Sequence, residues 1–92
     1  MKVLENKKVS IGNVEMTYVE LIASQIKSTP AEGFTYEVME KIMRVDAFLD
    51  KKLEKIELED ADFDFIKEKI SKATWAIYDT QIVDMVKYIK SL

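Results

Sequence analysis

Apolar and polar residues alternate through the first stretch of the chain. Val9 and Ile11 share one parity before Gly12-Asn13, and Val14 and Met16 share one after it. A Gly-Asn pair between alternating runs marks a two-residue hairpin, because glycine takes φ > 0 without steric cost. That register sets Ile11 opposite Val14 and Val9 opposite Met16, with all four apolar groups on one face. The Lys2–Glu5 segment is expected to add a third strand through Asn6-Lys7.

The period then becomes helical. Thr17-Tyr18-Val19-Glu20 reads as a capping box, with Met16 and Leu21 at the hydrophobic-staple positions. Val19, Ile22 and Ile26 follow at helical spacing, flanked by Tyr18 and Leu21. The strand end and the helix start compete for Met16. The helix is expected to stop near Ser28, because Pro30 disfavours the helical region for Thr29. Thr29-Pro30-Ala31-Glu32-Gly33 is the clear loop. A second helix restarts at Phe34-Thr35, with Thr35 as N-cap and Phe34 and Met39 at staple positions. Its inward stripe is Val38, Ile42, Val45 and Leu49, widened by Met39, Met43 and Phe48.

Residues 51–58 are ambiguous. Leu53 extends the helix on one reading, while residues 55–59 alternate like a short strand. The favoured reading is a strand paired with the N-terminal hairpin. The acidic run Glu59-Asp60-Ala61-Asp62 suits a helix N-terminus. Phe63, Ile66, Ile70 and Ala73 form that helix's stripe. Asp79 caps a fourth helix, with Tyr78 and Val83 as its staple and Ile82, Val86 and Ile89 facing inward. The expectation is a single α+β domain over residues 1–92. It has about four short helices and a small antiparallel sheet, made of the hairpin plus one strand near 55–59.

Composition narrows the chemistry. The chain of 92 residues contains no histidine and no cysteine. It therefore lacks the side chain that titrates near neutrality, and it lacks thiol nucleophiles, thiolate ligands and disulfides. Fourteen basic residues against 17 acidic ones give a net charge of −3, which does not suit a nucleic-acid binder. No apolar run is long enough to span a membrane, and no secretory signal is visible, so the expected location is cytoplasmic.

Candidate sites each carry a plainer reading. Asp60, Asp62 and Asp64 alternate like the first ligands of a calcium loop, but Phe65 stands where the turn glycine belongs and Ser71 where the last ligand belongs. An acidic helix start accounts for them better. Glu57, Glu59, Asp60, Asp62 and Asp64 are the acids that a magnesium-dependent nuclease would have to present around phosphate. Residues 54–68 hold seven acids against two lysines, a solvated face or a contact for a basic partner. Neither a phosphate-binding glycine loop nor a Ser-x-x-Lys motif is present. No catalytic residue, metal ligand or cofactor is expected.

Phe63 and Phe65 lie about 200° apart on a helix, so both cannot face the core. Trp75, Ile77 and Tyr78 fall in a connector. Phe65, Trp75 and Tyr78 are therefore the candidate partner-binding residues, with a second core layer as the plainer reading for Phe65 and Trp75. The five methionines read as core filler ahead of a binding groove.

Met16-Thr17-Tyr18-Val19-Glu20-Leu21-Ile22, Pro30-Ala31-Glu32-Gly33-Phe34-Thr35 with Met39, Leu58-Glu59-Asp60-Ala61-Asp62-Phe63 with Lys67, and Trp75 together resemble small phage and prophage proteins, over residues 16–89. The resemblance implies a phage-related accessory or assembly protein. It brings no catalytic residue. The expected function is a non-enzymatic protein-interaction module, a phage-related accessory protein or inhibitor binding a host or virion protein. A self-associating assembly component is the alternative, and an acid-dependent metal enzyme is the remaining reading. The expected partner is another protein or a second copy, with neither nucleic acid nor membrane.

Overall fold

The computed structural model describes residues 1–28, 33–51, 53–75 and 78–92. The elements run β1 (Lys2–Glu5), β2 (Lys8–Ile11), β3 (Val14–Thr17), α1 (Tyr18–Ile26), α2 (Tyr36–Leu49), β4 (Lys55–Leu58), α3 (Asp60–Ser71) and α4 (Thr80–Ser91). The fold is a small α+β domain, as the periodicity indicates.

The hairpin forms in the expected register, with Ile11 opposite Val14 and Val9 opposite Met16. Gly12 and Asn13 both take positive φ, at 57° and 66°, the signature of a type I′ turn. Val9 and Ile11 are buried and Met16 is half-buried, but Val14 at the tip is exposed.

The sheet differs from expectation. β4 pairs antiparallel with β1, and the β2–β3 hairpin stands as a separate ribbon. Hydrogen-bond parity explains the split. The Asn6 amide donates to the Glu54 carbonyl at 2.8 Å, so even-numbered residues of β1 face β4. The Tyr18 amide donates to the Lys7 carbonyl at 2.9 Å, so odd-numbered residues of β2 face β3. One strand path thus carries β4 on one edge of its first half and β3 on the opposite edge of its second half. The remaining edge of β2 is closed by a side chain. Gln81 Oε1 accepts from the Ser10 amide at 3.1 Å, and Gln81 Nε2 donates to the Ser10 carbonyl at 2.6 Å. The glutamine amide takes the place of the neighbouring strand.

α1 begins directly where β3 ends, so Thr17 closes a strand and caps a helix at once. The Thr17 hydroxyl accepts from the Glu20 amide at 3.3 Å, and Glu20 returns to that hydroxyl instead of to the backbone. Lys27 caps the C-terminal end, one residue before the expected stop. Thr35 and Asp79 cap α2 and α4 through the Val38 and Gln81 amides. α2 ends at Leu49, so Leu53 lies outside it.

One hydrophobic core draws on every element. Leu4, Ile22, Leu49, Leu58, Phe63, Ile66, Met85 and Ile89 are among its buried members. Of the expected α3 stripe, Phe63, Ile66 and Ile70 are buried, while Ala73 falls past the helix end and is half-buried. The Tyr78–Val83 staple does not close, since both side chains are exposed. Asp62 is buried to 3% exposure, and Arg44, the sequence's sole arginine, grips one of its oxygens from Nε at 2.9 Å and from a terminal nitrogen at 2.6 Å. This pair ties α2 to α3. Among the described residues, no helix is long and apolar enough to cross a membrane.

Candidate protein-binding surface

α2 carries apolar residues on two sides. Val45 and Leu49 are buried, with Val38 and Ile42 half-buried beside them. Tyr36, Met43 and Ala47 project about 160–200° away from Val45 at 3.6 residues per turn. Helical spacing alone placed Met39 and Met43 as a widening of the inward stripe. Instead Tyr36 is 72% exposed, Met39 49% and Met43 73%. The core takes only the Val45 side, because α1, β4 and α3 all pack there.

Between this face and the end of α1 lies a groove of about 270 Å³, lined by Phe34, Met39, Ile42 and Met43. Phe34 and Met39, the expected staple pair, thus both line an open groove. Lys27 and Asp46 form its polar rim and pair at 3.0 Å. That pair neutralises itself. Glu37, Glu40 and Lys41 are exposed on the same helix and give it one net negative charge there. A side-chain hydrogen bond with Glu40 raises the pKa of the Tyr36 phenol above its ordinary value of 10.0.

The residues singled out from sequence distribute differently. Phe65 and Trp75 are half-buried and pack against the core, and Lys69 Nζ lies 5.8 Å from the centre of the Phe65 ring. Tyr78 is 85% exposed. Ile77 lies outside the described residues, as do Thr29, Pro30, Ala31 and Glu32 of the expected loop. Of the methionines, Met85 is core filler and Met16 is partly so, whereas Met1, Met39 and Met43 are exposed. No sequence rule separated these groups, because both stripes of α2 satisfy helical spacing.

Three acids of residues 54–68 are engaged in ion pairs, and of these only Asp62 is buried. Asp62 pairs with Arg44, Asp60 lies 3.1 Å from the amino group of Met1, and Glu68 pairs with Lys72 at 3.2 Å. Among the described residues, no three acids converge in a geometry that holds a metal ion. No family model, curated protein or solved structure matches the chain.

Proposed function

We propose that this chain is a non-enzymatic protein-interaction module that binds through the outward face of α2. The observation that carries the reading is the exposure of Tyr36, Met39 and Met43 on a helix whose other stripe already serves the core. Exposed apolar clusters of this kind mark interaction surfaces, and methionines adapt to varied partners. The groove between Phe34 and Met43 suits an amphipathic helix laid along it. The slight acidic excess of Glu37 and Glu40 over Lys41 favours a partner whose apolar residues are bordered by lysine or arginine. The resemblance to small phage and prophage proteins makes a host or virion protein in the cytoplasm the natural partner.

Selection from a displayed random-peptide library tests this. The recovered peptides are expected to carry apolar residues at i, i+3 or i+4, and i+7 with interspersed basic ones. They are expected to bind a Met43→Lys variant about tenfold more weakly or worse. Recovered peptides that bind this variant as well as the parent chain contradict the proposal, as does a library that yields none.

A further inference from the structure

The outer edges of the two ribbons are filled unevenly: on β1 the Glu5 amide donates to the Tyr88 hydroxyl at 3.0 Å, on β2 Gln81 holds Ser10, and on β3 and β4 no such bond is made among the described residues. In β4 the register with β1 turns the N–H and C=O of Ile56 and Leu58 inward and those of Lys55 and Glu57 outward. Among the described residues, none hydrogen-bonds to these outward groups. A groove of about 550 Å³ borders the β1–β4 ribbon, lined by Lys55, Ile56 and Glu57 and by the apolar side chains of Val3, Phe48 and Leu53. Val3 and Leu53 are exposed there.

A free edge is a template for another strand, and the residues on this one select which strand. An antiparallel partner must match outward groups with outward groups. For a second copy of β4, only three central registers do so. One sets Lys55 against Lys55 and one sets Glu57 against Glu57, and both place like charges directly opposite, which destabilises a cross-strand pair. The third sets Lys55 against Glu57 of the other copy, twice, about a two-fold axis at Ile56. Each of those pairs exchanges both its backbone bonds and joins opposite charges.

We infer that β4 pairs with β4 of a second copy of this chain in that register, giving a four-stranded sheet ordered β1, β4, β4, β1. The two-fold arrangement is self-complementary, as an isologous dimer requires. The open edge of β3 offers no such match. Its outward residues are Glu15 and Thr17, which give a like-charge pair or no charge pair at all. Two four-residue strands bury less than the roughly 1,200–2,000 Å² of a stable interface. The β4 pairing is therefore a reversible association seen at high concentration, with Leu53 and Val3 adding apolar contact beside it. It uses a surface separate from the α2 face and stands or falls independently of it.

Sedimentation velocity over a concentration series tests the inference. The parent chain is expected to move from monomer toward dimer. Lys55→Glu and Glu57→Lys each create like-charge pairs at both positions and are expected to weaken association about tenfold. The double exchange Lys55→Glu/Glu57→Lys restores opposite charges and is expected to recover it. A monomer at every concentration overturns the inference, and so does dimerisation indifferent to single reversal or unrecovered in the double variant. Should a reversal disturb folding, the parent chain alone decides. The Lys55 and Glu57 amide resonances are expected to shift with concentration, and their constancy overturns the pairing.

Discussion

The side-chain oxygen of Asn6 accepts the Val19 amide at 3.0 Å, which ties the bend between β1 and β2 to the first turn of α1. A helix begins with amides that lack partners within it. Here the Tyr18 amide goes to Lys7, the Val19 amide to Asn6 and the Glu20 amide to Thr17. Asn6 also donates its own amide to the carbonyl of Glu54, the residue before β4. One residue thus joins both ribbons to the helix.

Asn6→Ala removes the acceptor and leaves the part-buried Val19 amide without it. The expected loss is about 1–2 kcal/mol, at least that of Thr17→Ala, which is about 1 kcal/mol. Urea denaturation with an unchanged m-value measures it.

Gln81→Leu takes away both bonds to Ser10 and reopens the edge of β2. The fold is expected to persist with a loss of about 1–2 kcal/mol. Hydrogen exchange at the Ser10 amide is expected to accelerate more than exchange at the core amides of α3.

Arg44→Met leaves the Asp62 carboxylate buried without its cation. A fully buried pair broken this way costs about 3–5 kcal/mol. Arg44 is itself more than half exposed, so solvent screening lowers the expected loss to about 1–2 kcal/mol. Adding Asp62→Asn removes the stranded charge, and the double variant is expected to be more stable than Arg44→Met alone. Thermal unfolding of the variants side by side gives the order.

Trp75→Ala and Tyr78→Ala separate packing from surface. Trp75 is half-buried against the core, and its truncation is expected to cost about 2 kcal/mol. Tyr78 is exposed, and its truncation is expected to stay within about 0.5 kcal/mol. Equal losses in the two variants contradict the placement.

The local features of this fold were legible along the chain. Thr17, Thr35 and Asp79 cap helices through bonds that span two or three residues, and Gly12-Asn13 turns a hairpin whose register follows from its length. The strand pairing was not legible. Lys2–Glu5 and the strand near 55–59 fit either edge equally well, and the edge of β2 is taken by Gln81, 71 residues from Ser10. Asp62 read as part of an acidic helix start, because its partner Arg44 becomes a neighbour only when α2 packs on α3. The α2 surface escaped for a related reason. Period 3.6 identifies a stripe but does not say which of two stripes the rest of the molecule covers.

The methionines supply their own probes of partner binding by the outward face of α2. The methyl groups of all five are to be followed by NMR during titration with a helical peptide of leucine and lysine, its leucines at i, i+3, i+4 and i+7. Met39 and Met43 are expected to shift together and saturate, while buried Met85 stays in place. Binding that leaves Met39 and Met43 unmoved, or the absence of any saturable shift at them, contradicts partner binding by that face.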